Sequence, residues 1–136
     1  MIGIVIVAHG QLGQAIVKTA EFILGSLEGC GTVSIDGGRS PDTMRQAISV
    51  AIKSVDKGKG VLILTDMFGG TPSNLSLSFL AEGKVEVLTG VNLPMLIKAT
   101  QVRGQMKLAE AAQTIGEHGR GSITVAGEML GKVPSK

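Results

Sequence analysis

The sequence contains no tryptophan, no tyrosine and only three phenylalanines among its 136 residues. A chain of this length forms one domain with a substantial core, so that core must be aliphatic. The lack of aromatic rings also leaves no platform on which nucleic-acid bases stack. The formal net charge is only +2, and no run of basic residues provides a footprint for phosphate backbones. We therefore expect no nucleic-acid partner.

Cysteine is nearly absent as well. The single residue, Cys30, excludes an intrachain disulfide framework and is typical of a small buried or edge position. No cluster of histidine and cysteine has the spacing of metal ligands, so we expect no metal and no other cofactor. The apolar N-terminus is too short to span a bilayer and has no basic leader. These features predict a cytoplasmic protein that does not insert into membranes.

What the sequence does have is a regular alternation of apolar strands and amphipathic helices. Hydrophobic residues make up 43% of the chain and charged residues 18%, which is typical of a globular domain. The alternation predicts an α/β fold, with a doubly wound and mainly parallel sheet of order 2-1-3-4 and helices on both faces. Strands are predicted at 2–8, 32–36, 61–65, 85–88 and 122–126, and helical patterns at 12–23, 44–55, 75–80, 94–99 and 108–115. Residues 1–126 form the domain in this interpretation, and residues 127–136 form a frayed tail.

Two polar residues follow strands that such a sheet places side by side. The first strand ends at His9 and the third ends at Asp66. Sites in open parallel sheets lie beyond the carboxyl ends of the strands, where the strand order reverses. The topology therefore predicts that His9 and Asp66 meet, although each could instead cap a loop or a helix.

A meeting of these side chains has a definite chemistry. A neutral imidazole has one nucleophilic nitrogen, and the hydrogen bond of the other nitrogen decides which one it is. If a carboxylate accepts the Nδ1 proton of His9, Nε2 is free to attack phosphorus. Positive charge that develops on the ring would also be stabilised.

The segment after Asp66 has the composition of a phosphate cradle. Gly69 and Gly70 allow the backbone to approach an anion closely, and Thr71 suits a helix N-cap with Pro72 in the first turn. Free amides at that helix start favour negative charge. The segment is not a Walker A loop, because no Gly-Lys-Ser/Thr follows, so we expect no nucleotide site.

Three further residues have features that could indicate a function. Met67 and Phe68 are candidates for exposed apolar residues that rim the site and contact a docking partner, with core packing as the alternative. His118, near the end of the last helical pattern, is typical of a residue at a helix C-terminus and is not assigned to the site.

Three segments together resemble the IIA component of mannose-family sugar phosphotransferase systems. They are IVAHG near the N-terminus, LTDMFGGTPSN in the middle and LTGVNLPML after the fourth strand. The resemblance extends from Ile2 to about Ala126. Thr71 stands where relatives often have serine, and Phe68 stands where some relatives have tryptophan, so the hydroxyl and the aromatic ring are kept.

The resemblance implies a role for each part of the site. His9 would be phosphorylated through Nε2, Asp66 would orient it, and Thr71 with the amides around Gly70 would bind the phosphoryl oxygens. The donor would be the phosphocarrier HPr and the acceptor a IIB component on a separate polypeptide. Members are homodimers that exchange a C-terminal strand, for which residues 122–126 are the candidate. The sugar, and the choice between transport and regulation, stay open.

Other proteins with this strand order fit less well. A response-regulator receiver needs an acidic pair for Mg²⁺ after the first strand, where this chain has Ala8-His9-Gly10-Gln11. A flavin-binding protein needs a hydroxyl-rich loop at that place, and a tetrapyrrole chelatase would not explain the segment 66–74. The phosphotransfer subunit of dihydroxyacetone kinase and a non-catalytic binding module of the same fold remain as alternatives.

Overall fold

Strands and helices alternate along residues 1–131, the part of the chain that the computed structural model describes. The strands are β1 (Gly3–His9), β2 (Cys30–Ile35), β3 (Val61–Thr65) and β4 (Val85–Thr89). The helices are α1 (Leu12–Leu24), α2 (Pro41–Val55), α3 (Thr71–Leu77), α4 (Leu93–Val102), α5 (Leu108–Gly121) and α6 (Ala126–Met129).

The four strands form one parallel sheet in the order β2-β1-β3-β4. This confirms the predicted strand order and makes β1 the neighbour of both β2 and β3. His9 lies opposite Ile35 of β2, and Val7 lies opposite Thr65 of β3. The carboxyl ends of β1 and β3 therefore lie next to each other at one edge of the sheet.

The two central strands are continuous apolar runs because helices cover both of their faces. The first six residues of β1 are buried, and so are all five residues of β3. Alternate residues of β1 belong to different cores, since successive side chains point to opposite faces of a sheet. Ile4 and Ile6 pack in the core under α1, α4 and α5, whereas Val5 and Val7 pack in the core under α2 and α3.

All five predicted helical patterns form helices, but the bounds differ, most clearly for α3, which spans Thr71–Leu77 and not 75–80, and for α5, which extends to Gly121. Ser40 caps α2 by accepting a hydrogen bond from the amide of Thr43 at 3.2 Å, with Pro41 at the first helical position. Asn92 caps α4 by accepting from the amide of Met95 at 2.9 Å. Gly25 ends α1 with a φ of 90°, a conformation that glycine adopts without strain.

The predicted strand at 122–126 is wrong for the single chain. Ser122 caps the end of α5, residues 123–125 have no regular structure, and α6 begins at Ala126. The β-branched residues of this segment favour an extended backbone, but a strand needs a neighbour that accepts its hydrogen bonds. No strand within residues 1–131 pairs with it. Of the expected tail, residues 127–129 belong to the short exposed helix α6, and residues 132–136 lie outside the described residues.

Among the described residues, no helix has both the length and the apolar composition that crossing a bilayer requires.

A buried arginine ties three segments together at the opposite edge of the sheet. The Arg103 side chain, just after α4, donates from Nε to the carbonyl of Ile2 at 2.9 Å and from its two Nη atoms to the carbonyls of Glu28 at 2.7 Å and Gly29 at 2.6 Å. Only 7% of Arg103 is exposed, and burial lowers the pKa of its guanidinium. The end of α4 is thus fixed to the starts of β1 and β2.

We predict that Arg103→Lys lowers the free energy of unfolding by about 2 kcal/mol, because an ammonium group cannot reproduce the planar fork that reaches three carbonyls. Urea unfolding of the two proteins measures the difference. Arg45→Lys is the matched control, since Arg45 lies on the surface and pairs with Asp42 at 3.0 Å. Equal stability losses in the two variants would contradict the prediction.

Candidate active site

His9 and Asp66 meet at the carboxyl edge of the sheet, as the strand order predicts. His9 is the last residue of β1, and Asp66 directly follows β3. Oδ2 of Asp66 lies 2.7 Å from Nδ1 of the His9 ring and also accepts the main-chain N–H of His9 at 2.9 Å. One carboxylate oxygen therefore holds both the backbone and the ring of the same histidine.

The surroundings of Asp66 favour its ionised form. Burial of the side chain raises its pKa, but hydrogen bonds from the backbone and ring of His9 and from the amide of Met67 outweigh burial, so the pKa of Asp66 lies below its ordinary value. The amide of Met67 donates to Oδ1 at 2.9 Å. Asp66 is therefore a carboxylate at neutral pH, which accepts hydrogen bonds and donates none.

This protonation state determines the tautomer of His9. Because the carboxylate only accepts, Nδ1 of a neutral His9 ring must carry the proton, and Nε2 has a free lone pair. The His9 side chain is 52% exposed, whereas that of Asp66 is 12% exposed. The arrangement thus combines a shielded carboxylate with an accessible nucleophilic nitrogen.

The glycine-rich segment lies beside this ring, at the start of α3. Gly70 is the N-cap, with an extended backbone, and Thr71 is already the first helical residue with Pro72 next to it. The expectation that Thr71 is the cap is therefore wrong by one residue. Both glycine and threonine are accepted at that position, so sequence preference did not distinguish them.

Because the cap is a glycine, no side chain occupies the start of α3. The structure has no side-chain capping bond at this helix end. No hydrogen bond of the described residues engages the amides of Gly70 or Thr71. The side chain of Thr71 is exposed. These groups are available to an anion.

Gly70 also approaches the imidazole closely. A Cβ atom at this position would lie 3.2 Å from Cε1 of His9, which is tighter than ordinary van der Waals contact. Only glycine fits here without moving the ring. The neighbouring Gly69 has a φ of 89°, in the left-handed region, which lets the chain turn from β3 into α3.

Three large apolar residues that lie close in sequence to His9 and Asp66 are exposed. Met67 is 58% exposed and Phe68 is 74% exposed, so both lie outside the core. Leu12, in the first turn of α1 after the site histidine, is 45% exposed. We call these three residues the apolar rim. Exposed large apolar residues beside a polar site are typical of a surface that contacts another protein.

One contact at the site was not predicted from the sequence. The hydroxyl of Ser34, on β2, donates to the carbonyl of Gly10, the residue that follows His9. A serine within a strand belongs to no recognisable motif. Its polar side chain between Val33 and Ile35, close to the end of β2, was the available signal.

Other residues considered from the sequence lie apart from the pair. His118 is exposed in the last turn of α5, and no hydrogen bond or ion pair among the described residues connects it to His9 or Asp66. Burial raises the pKa of the Cys30 thiol to about 11, which makes it an unreactive residue on the edge strand β2. The described residues contain no group of three side chains that could hold a metal ion.

Comparisons with known proteins match this architecture. The sequence model of the family described as "PTS system fructose IIA component" matches residues 3–116. The fructose-specific EIIA component of Bacillus subtilis is 31% identical over 98% of this chain and 92% of its own length. The mannose-specific EIIAB component of Escherichia coli is 35% identical over 75% of this chain, which spans 32% of the length of that relative.

A solved structure agrees with these matches. The crystal structure of the phosphotransferase system component EIIA from Streptococcus agalactiae superposes with a TM-score of 0.85 at 30% identity and covers 94% of this chain and 99% of its own. The agreement of sequence and fold over nearly the whole length leaves one conclusion. The chain belongs to the mannose/fructose family of IIA components, which are phosphotransfer proteins of sugar phosphotransferase systems.

Proposed function

We propose that His9 accepts a phosphoryl group on Nε2 from phospho-HPr and passes it to a IIB component of a phosphoenolpyruvate-dependent sugar phosphotransferase system. The observation that carries this proposal is the 2.7 Å contact between Asp66 and Nδ1, with the other side of the ring exposed. Family membership supports the phosphotransfer chemistry.

Phosphoryl transfer to His9 is an exchange of one P–N bond for another. The lone pair of Nε2 attacks phosphorus, the P–N bond to the donor histidine breaks, and the donor imidazole leaves with the bonding electrons. Positive charge develops on the His9 ring as the new bond forms, and the adjacent carboxylate of Asp66 stabilises it. In the second transfer a nucleophilic side chain of the IIB component attacks phosphorus. The P–N bond to His9 breaks, and the His9 imidazole leaves with the bonding electrons.

The start of α3 supplies groups that suit the phosphoryl oxygens. The unengaged amides of Gly70 and Thr71 are hydrogen-bond donors at the positive end of a helix, and the hydroxyl of Thr71 adds another donor. Such donors lower the energy of a transition state whose charge is spread over three oxygens.

We infer that the apolar rim is the docking surface for both partner proteins. HPr and the IIB component must each bring a reactive side chain to the same Nε2, so both must contact the surface that surrounds it. Matches to a relative named as an EIIA component and to one named as an EIIAB component support a IIB component as the acceptor. The proposed site of action is the cytoplasm, where such partners meet.

We further propose that the protein is a homodimer in which residues 122–126 of each subunit pair with β4 of the other. Strand β4 is the last strand of the sheet, and beyond the bridge between Val85 and Ala81 no strand of the described residues pairs with its outer edge. Ile123 lines a small depression together with Leu88 and Thr89 at the end of β4. Ile123 and Val125 are 78% and 62% exposed in the single chain, and pairing with a second copy would bury these side chains.

The relatives also bear on the alternatives. Proteins named as IIA components of sugar systems match most of the chain, which favours this role over that of a dihydroxyacetone kinase subunit. A non-catalytic binding module would have no need for the free nitrogen of His9. The phosphorylation experiment below separates these functions.

We predict that incubation with phosphoenolpyruvate, enzyme I and HPr adds one phosphoryl group that is labile in acid and stable in alkali. His9→Ala should abolish the mass gain, whereas His118→Ala, which changes the other histidine, should leave it intact. Asp66→Asn should slow transfer roughly 100-fold, because an amide cannot stabilise the charged ring. Mass spectrometry and quenched-flow measurements provide the readouts. A label on an aspartate, or no label on the wild type, would contradict the proposal.

We predict that Gly70→Ala slows phosphoryl transfer about tenfold, because the added methyl displaces the His9 ring from its position. The backbone of Gly70 has a φ of −83°, which alanine also adopts, so the protein should fold normally. Gly104→Ala is the control, since nothing lies within 4 Å of a Cβ there. Equal transfer rates in the two variants would show that the close approach is irrelevant.

We predict that the protein sediments as a dimer and that Ile123→Asp shifts it to the monomer, because a charge on the exchanged strand opposes its burial. Val50→Asp places the same charge on α2, at a residue that is 62% exposed, and should leave the dimer intact. Analytical ultracentrifugation distinguishes the two states. A monomeric wild type would refute the exchanged strand.

A further inference from the structure

Gly10, the residue that follows His9, forms hydrogen bonds to β2 through both its amide and its carbonyl. The amide of Gly10 donates to the carbonyl of Ile35 at 3.0 Å, and the carbonyl of Gly10 accepts the hydroxyl proton of Ser34. Ser34 and Ile35 are consecutive residues that lie opposite Ala8 and His9 in the sheet. The peptide that leaves the active site is therefore bound to the neighbouring strand.

Packing contributes little to the position of Gly10. Its φ is 55°, in the left-handed region, and no atom lies within 4 Å of the place where a Cβ would be. Glycine in open space has wide conformational freedom. Its hydrogen bonds to β2 must therefore fix its conformation, and the Ser34 hydroxyl makes the only side-chain contribution among the bonds of the described residues.

Ser34 is itself held from the outer side of the sheet. The guanidinium of Arg39 donates to the main-chain carbonyl of Ser34, which points away from β1 at this edge strand. The carboxylate of Asp36 lies 3.9 Å from Nε of Arg39 and keeps its charge partly balanced. Arg39, in the loop after β2, therefore occupies the side of β2 that faces away from β1, next to Ser34.

We propose that Ser34 is a positioning residue for His9. Asp66 holds the histidine from β3, at its amide and its ring, and Ser34 holds the following peptide from β2, so the residue is fixed from both neighbouring strands. The Ser34 hydroxyl lies on the face of the sheet opposite to the buried Val33 and Ile35, where the chain turns into α1. Its removal frees the turn and loosens the bond between the imidazole and Asp66.

The consequence for phosphoryl transfer rests on the proposed function, but the consequence for the ring does not. The first measurement is therefore the rate at which the Nδ1 proton of His9 exchanges with water, and nitrogen NMR monitors this exchange. We expect Ser34→Ala to speed this exchange severalfold, because the bond to Asp66 opens more often. The second measurement is the initial rate of phosphorylation by phospho-HPr, which we expect to fall about tenfold.

Two variants serve as controls. Ser34→Thr keeps the hydroxyl and should restore both readouts to near the wild-type values. Ser54→Ala removes a hydroxyl that donates to a backbone carbonyl, that of Ala51 at 2.8 Å, on the surface of α2, and should change neither readout.

Each result decides between the interpretations. Faster proton exchange in Ser34→Ala, restored by Ser34→Thr, supports the positioning role even if the wild type takes up no phosphoryl group, in which case only the proposed function fails. Proton exchange that matches the wild type overturns the positioning role, whatever happens to the transfer rate or the unfolding temperature.

Discussion

The candidate active site depends on one carboxylate oxygen that accepts two hydrogen bonds from the same residue. Oδ2 of Asp66 accepts hydrogen bonds from the amide and the ring of His9, and these two hydrogen bonds fix the histidine relative to β3. It requires that β1 and β3 be neighbours and end at the same level, which the parallel sheet provides. The sheet order is therefore a condition for the chemistry of the site.

Few other polar side chains of the described residues lie close enough to form hydrogen bonds with the polar groups of the site. The two central strands are aliphatic up to Ala8 and Leu64, and helices cover both faces, so apolar side chains make up most of the sheet interior. At the edge, Gly70 allows the ring to lie against the backbone, and the start of α3 has no capping side chain. An interior of this kind is densely packed and holds the attached groups in fixed positions.

Much of this arrangement could be predicted from the sequence, because it follows from local rules. Apolar runs indicated the central strands, amphipathic patterns indicated the helices, and the strand order brought His9 to Asp66. The misassigned cap of α3 depended on the backbone torsions of Gly70, which no residue preference determines.

The other differences have non-local causes. The segment at 122–126 has the composition of a strand, but strand formation depends on a pairing partner that a sequence pattern does not specify. The contact between Ser34 and Gly10 joins residues 24 positions apart, and a single serine gives no sign of its partner. Interactions that depend on three-dimensional neighbours were therefore the ones that sequence reasoning missed.

The close approach of Gly70 to Cε1 has a consequence for regiochemistry. A half-turn of the imidazole would exchange Nδ1 with Cδ2 and Cε1 with Nε2. A carbon would then face the Asp66 carboxylate, and the nucleophilic nitrogen would be turned against the glycine backbone. A ring with two nitrogens of similar basicity is thereby reduced to a single usable one, so a phosphorylated form of this protein would contain one phosphohistidine isomer rather than a mixture.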